Sequence, residues 1–220
     1  GEDETQIGRF GIGFVSVFAL DPDAVCVDTG RGGETWRVLF EADRSFVCMR
    51  RDVPFAGTHV RIIKAVGEAE VEELRARALG VVRAACRFVD AELYFDDEPV
   101  HEPFGLESPC QVRVELEDAA VVVGYASPAT RGFYNRGLTL LEEPSDLPGV
   151  SYRINSPHLE HTLSRDTVRH DAHYTRLVKA AREAAQAHLW PALEQALVEA
   201  PQPTHWRCLA GLSASAAPPR

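Results

Sequence analysis

The sequence predicts an α+β chain made of two successive units, each a set of antiparallel strands followed by a helix. Three observations predict it. Short apolar runs broken by turn residues occupy 24–63, and a stretch with 3.6-residue periodicity follows over 68–88. A second group of strands begins at Gln111 and ends in a long amphipathic stretch over 171–199. Between the two, Asp96-Asp97-Glu98-Pro99 and the segment 101–109 have the composition of a turn and a linker.

The chain opens on Ile7-Gly8-Arg9-Phe10-Gly11-Ile12-Gly13-Phe14, with glycines at positions 8, 11 and 13 directly before apolar sequence. Free N–H groups at a helix start attract anions, and glycine lets the backbone approach a phosphate closely. Two readings stand for this spacing: a phosphate-binding turn, or a tight surface loop. Neither a dinucleotide fingerprint, which needs a preceding strand, nor a Walker sequence with Gly-Lys-Ser or Gly-Lys-Thr is present. Phe14 to Leu20 is expected to continue as a largely buried helix that Asp21-Pro22 stops.

Ala24 to Asp28 and Thr35 to Phe40 read as strands joined by the turn Thr29-Gly30-Arg31-Gly32-Gly33, with a third strand at Ser45 to Met49. Gly57-Thr58 leads into His59-Val60-Arg61-Ile62-Ile63, whose alternation places Val60 and Ile62 on one face. Val71, Leu74, Ala78, Val82 and Ala85 then mark one face of a helix, and Ala91 to Phe95 reads as a short strand. In the second unit Gln111 to Leu116 and Ala120 to Tyr125 are adjacent strands, and Gly132 to Leu141 is a turn and strand. Asn155 to Glu160 is a loop. Tyr174, Leu177, Val178, Ala181, Ala185, Leu189 and Leu193 form the buried side of the last helix, which Pro191 is expected to bend. The domain assignment is 1–100, a linker at 101–109, 110–205, and a flexible tail over 206–220.

A formal charge of −10 and 45% hydrophobic residues describe a chain that can bury a core and is poorly suited to coat nucleic acid or an anionic membrane. Only two of its 23 basic residues are lysines. Five scattered cysteines fit buried thiols in a reducing compartment better than a disulfide framework or zinc cluster. No apolar run approaches the length of a membrane span and no signal peptide is visible, so the expected location is cytoplasmic.

Gly8-Arg9-Phe10-Gly11-Ile12-Gly13-Phe14 resembles the lid-end glycine motif of the GHKL ATPases. The elements that follow it most resemble the Hsp90 branch: an apolar helix, antiparallel strands, a Gly-Thr before a strand, a helix, and an acidic strand end. Leu163-Ser164-Arg165-Asp166 resembles the Ser-Arg-Glu signature of the Hsp90 middle domain. The resemblance implies the C-terminal part of a Bergerat-type α/β sandwich followed by a truncated middle domain with the fold of ribosomal protein S5 domain 2. It implies ATP and Mg2+ as cofactors, a client or partner protein, stress-response chaperone activity, and a homodimer formed through elements outside these residues. Gly8, Arg9, Phe10, Gly11, Ile12, Gly13, Phe14 and Thr58 would bind nucleotide, and Arg165 with Arg169 would contact the transferring phosphate.

Alternatives remain open for single residues. Arg165 is either a phosphate-contacting arginine or the neighbour of a helix cap, pairing with Asp166 or Asp171. Arg169 stands where the family usually has glutamine. Phe14 lies beside nucleotide or in the core, Thr58 near adenine or simply at a strand start, and Arg136 faces the ATPase domain or solvent. His158, His161, His170 and His173 lack the spacing of a metal site. The glutamate that activates water, the asparagine that holds magnesium and the Asp-x-Gly loop of the family are not in these 220 residues, which by themselves are expected to bind ATP poorly and hardly hydrolyse it. A non-catalytic interaction scaffold and a MutL-like or topoisomerase-like DNA-associated ATPase are the competing functions. The latter normally places a lysine at the γ-phosphate.

Overall fold

The computed structural model describes residues 13–162, 164, 166–199 and 208. It is an α+β molecule whose contacts divide it into two compact units, the first ending at Ala76 and the second beginning at Arg77. That boundary precedes the segment 101–109, which is tied to the second unit. The Glu102 N–H donates to the Arg87 carbonyl at 2.5 Å, Arg113 donates to the Phe104 carbonyl at 2.9 Å, and Arg153 donates to the Gly105 carbonyl.

In the first unit Phe14–Leu20 is a 3-10 turn closed by Asp21, whose left-handed backbone (φ 50°) returns its N–H to the Phe18 carbonyl. None of its seven residues is buried, against expectation. It touches the sheet through Phe14 and Phe18, both against Phe40. Strands β1 (Ala24–Arg31), β2 (Glu34–Glu41), β3 (Phe46–Arg51) and β4 (Gly57–Ile63) form an antiparallel sheet in the order β3-β2-β1-β4. The first turn is only Gly32-Gly33, both at positive φ, so the strands run further than the expected five-residue turn allowed. Gly30 stays in β1, where a Cβ would lie 1.9 Å from the Phe55 carbonyl oxygen. Helix α1 (Glu68–Cys86) keeps Leu74, Val82 and Ala85 half-buried but leaves Val71 and Ala78 exposed, so its apolar stripe is only partly covered.

The second unit takes in the C-terminal part of α1, from Arg77, and then a two-residue hairpin, β5 (Tyr94–Phe95) with β6 (Glu98–Pro99), turned by Asp96 and Asp97 at positive φ. Its main sheet comprises β7 (Gln111–Leu116), β8 (Ala119–Tyr125), β9 (Thr130–Asn135), β10 (Leu138–Pro144) and β11 (Val150–Asn155), in the order β10-β9-β11-β8-β7. Strand β11 inserts between β8 and β9, antiparallel to the first and parallel to the second. The sequence reading had no strand at β11 and saw only a turn and strand across β9 and β10. Arg136-Gly137, at φ 49° and 79°, make the turn between them.

Helix α2 (Ala172–Ala184), a π turn at Ala185–Leu189 and helix α3 (Trp190–Glu199) cover one face of this sheet. Tyr174, Leu177, Ala181, Leu189 and Leu193 are buried there with Val121, Val123, Phe133, Tyr152 and Ile154, and Val178 and Ala185 pack at the margin. Phe88, Phe104 and Tyr134 cluster edge to face at 5.2–5.6 Å. All seven residues of β8 are buried. Cys26 and Cys110 are buried free thiols, whereas Cys48 is exposed. No helix among the described residues is long and apolar enough to cross a membrane.

Candidate functional site

The glycine run enters the described residues at Gly13, which caps the 3-10 turn with ordinary helical angles (φ −58°, ψ −38°). Its carbonyl accepts from the Ser16 N–H at 3.2 Å and the Ser16 hydroxyl at 2.6 Å. A Cβ on Gly13 would meet nothing within 4 Å. Neither its backbone angles nor any packing against the described residues demands glycine here. Gly8, Arg9, Phe10, Gly11 and Ile12 lie outside the described residues.

Phe14 is 37% exposed and sits 5.6 Å from Phe40 and 6.0 Å from Phe18, ring to ring. Its environment is a surface aromatic cluster and not a deep core. Thr58 is the second residue of β4, opposite Thr29, and their hydroxyls are 3.0 Å apart. The preceding Gly57 has φ 106°, a conformation that explains the Gly-Thr order sterically. Phe40 opposes Val25 and Thr58 opposes Thr29, so the two predicted contacts lie towards the same sheet face, four residues apart along β1 or about 13 Å.

In the second unit the residues around the Ser-Arg-Asp signature form a closed loop. His161 and Val168 bridge its base, and the Thr162 N–H donates to the Thr167 carbonyl at 2.9 Å. Inside it, Asp166 Oδ1 accepts from the Thr162 hydroxyl at 2.9 Å and the Ser164 hydroxyl at 2.6 Å. Those hydrogen bonds, Ser164 first, hold the Asp166 carboxyl below its ordinary range. Arg165, the residue on which the catalytic expectation rests, lies outside the described residues, as does Leu163. Arg169 is 64% exposed and faces two carboxylates, Glu160 at 3.6 Å and Asp171 at 4.0 Å. Asp171 in turn caps α2, accepting from the Tyr174 N–H at 2.9 Å.

The histidines have separate tasks. His170 stacks on Tyr174 at 4.2 Å, His158 meets His173 edge to face, and His173 Nε2 lies 2.9 Å from the Ser156 hydroxyl. Burial pushes the His173 pKa down, opposed by the nearby Asp118 carboxylate and assisted by Arg176. Among the described residues no group of three or more His, Cys, Asp or Glu could hold a metal ion. An open groove of about 1120 Å³ in the second unit is lined in part by Phe88, His101, Phe104, Arg113 and Arg136, and Gly13, Phe14, Thr58 and Arg169, the predicted contacts among the described residues, do not line it.

The sequence reading passed over the densest charge cluster in the first unit, in which three arginines converge on Asp28. No local pattern marks it, because which polar residues of β1 to β4 share a face is readable only once the register is known. No protein-family model matches the chain, and no curated protein matches it.

Proposed function

We propose that the chain is the phosphate-binding and arginine-bearing part of a GHKL-type ATPase of the Hsp90 branch, with a Bergerat-type first unit and an S5-domain-2-like second unit. Gly13 carries the proposal: nothing among the described residues uses its missing side chain, whereas close approach of a phosphate oxygen to the backbone does. Two further features support it. Phe14 and Thr58 lie towards one sheet face, where a nucleotide could span them. The loop closed by Thr162, Ser164 and Asp166 is held by its own hydrogen bonds, as a loop presenting a guanidinium to a phosphate must be.

In this reading ATP supplies the phosphoanhydride bond that is cleaved. The glycine backbone holds its phosphates, and Arg165 stabilises the charge that develops on the transferred phosphoryl group. Asp166 positions the loop by accepting two hydroxyl hydrogen bonds, and Arg169 is held between Glu160 and Asp171 at the entrance to α2. The proposal rests on anion binding and the arginine, and assigns no magnesium ligand among the described residues. Coupling of the cycle to a client protein belongs to the same proposal.

ATP binding and turnover of the full-length gene product test it. Gly13→Val should weaken ATP binding about tenfold or more without changing thermal stability, because no described residue lies within 4 Å of a Cβ at this position. Arg165→Ala should lower kcat by about 10³-fold while leaving the ATP Kd within about twofold. Absence of saturable ATP binding in the wild type, or equal turnover in wild type and Arg165→Ala, rules the proposal out.

The exposed apolar residues Phe46, Val47, Met49, Val60 and Ile62 favour the scaffold reading as the second possibility. That reading predicts partner binding that survives Arg165→Ala.

A further inference from the structure

The second face of the first sheet gathers three guanidiniums around one carboxylate. Asp28 is nearly sealed, with 6% of its side chain exposed. Its Oδ1 accepts from Arg37 Nε at 2.6 Å and its Oδ2 from the same guanidinium at 2.7 Å, a bidentate pair that neutralises the carboxylate. Two more guanidiniums then crowd the same group: Arg61 at 2.5 Å from Oδ2 and Arg51 at 3.4 Å from Oδ1. No other acid among the described residues forms an ion pair with these three arginines, so two positive charges stay unbalanced in a chain whose formal charge is −10.

The strands place these groups deliberately on one side. Asp28 opposes Arg37 on β2 and His59 on β4; Arg61 and Arg51 occupy neighbouring rows of the same parity. The segment between β3 and β4 folds over the edge of the cluster. The Phe55 N–H donates to the Thr35 hydroxyl at 3.1 Å, and the Phe55 ring packs on His59 at 4.5 Å. Gly30 is the one position in β1 where the Phe55 carbonyl could come so close. The guanidiniums keep 30%, 32% and 56% of their side chains exposed, so they are anchored at the carboxylate while N–H donors still reach solvent.

We infer that Asp28 preorganises Arg37, Arg51 and Arg61 as a binding site for a phosphomonoester dianion. A phosphomonoester carries nearly two negative charges at neutral pH and three acceptor oxygens, which matches the two unbalanced charges and the planar donors of arginine. The source is a phosphorylated side chain of a partner or free phosphate. The site does not depend on the glycine run or on ATP hydrolysis.

Fluorescence anisotropy with a labelled phosphoserine peptide on the full chain, with its unphosphorylated counterpart and inorganic phosphate as competitors, tests the assignment. The phosphopeptide should bind saturably, more weakly at higher salt, and the unphosphorylated peptide should not compete. The Arg51→Gln/Arg61→Gln variant keeps the Arg37–Asp28 pair and should bind at least about tenfold more weakly; Arg51→Lys, which retains charge but not the planar fork, falls between. Peptide binding much tighter than phosphate identifies a phosphoprotein as the source, and equal binding identifies free phosphate. Gly13→Val should leave this binding intact, which separates it from the nucleotide proposal. No saturable binding, or equal binding by a Gln variant whose melting temperature is unchanged, overturns the inference; if that variant does not fold, equal binding by Arg51→Lys does so.

Discussion

Asp28 shows how a residue with an ordinary sequence context acquires an unusual proton affinity. The hydrogen bonds from Arg37, partly opposed by burial and reinforced by the charges of Arg37, Arg51 and Arg61, lower its pKa from 3.8 to about 2. In the unfolded chain it titrates near ~3.9, so between about pH 4 and pH 2 the unfolded state binds more protons. Its contribution to stability is complete above that window and is lost as the pH falls through it. Asp28→Asn should flatten this part of the stability curve. Circular dichroism of urea unfolding between pH 4 and pH 2 checks it, and identical pH slopes for wild type and variant would contradict the expectation. Nothing around Asp28 in the sequence announced this, because the strand Val25-Cys26-Val27-Asp28 could place any of its polar positions in water. Phe14 gives the reverse lesson. An aromatic opening an apolar run left a core place and a place beside nucleotide both open, and the short 3-10 turn leaves Phe14 37% exposed, with its ring against Phe18 and Phe40.

Helix α2 was legible almost residue by residue, since a 3.6-residue repeat of apolar side chains can be satisfied only by one covered face. Its start was legible too. Asp171 adopts an extended backbone and accepts from the Tyr174 N–H, filling one of the donors that a helix start leaves unpaired. Asp171→Ala should therefore cost about 1 kcal/mol in urea unfolding. A change below about 0.3 kcal/mol would show that solvent replaces the cap as acceptor for the Tyr174 N–H. Pro191 was expected to bend a continuous helix, and the interruption is instead a π turn at Ala185–Leu189 with Pro191 in the first turn of α3. Proline lacks an N–H to donate backwards, and the first turn of a helix is where that lack costs least. Strand β11 was legible and was missed: Val150, Tyr152 and Ile154 alternate with Ser151, Arg153 and Asn155, the period of a strand with one apolar face. Ser151 is nonetheless buried, its hydroxyl accepting from the Thr130 N–H at 2.8 Å.

The two units differ in how much of each strand is shielded from water. β8 is buried throughout and β11 has four of its six residues buried, whereas β3 and β4 have none. Local opening follows shielding, so native-state hydrogen exchange should label amides of β3 and β4 well before those of β8 and β11. Peptide-resolved exchange measures this directly, and equal protection of all four strands would refute it. The α+β class, the two groups of strands each followed by a helix, and the apolar face of the last helix follow from local pattern alone, since period and turn residues act within a few positions. Local pattern also supplied the glycine and Ser-Arg-Asp motifs on which the nucleotide proposal stands. Tertiary structure alone decided the insertion of β11, the attachment of 101–109 to the second unit, and the gathering of Arg37, Arg51 and Arg61 on Asp28. Each of these joins residues distant in sequence, and strand register, which sets which side chains share a face, emerges only when the sheet has paired.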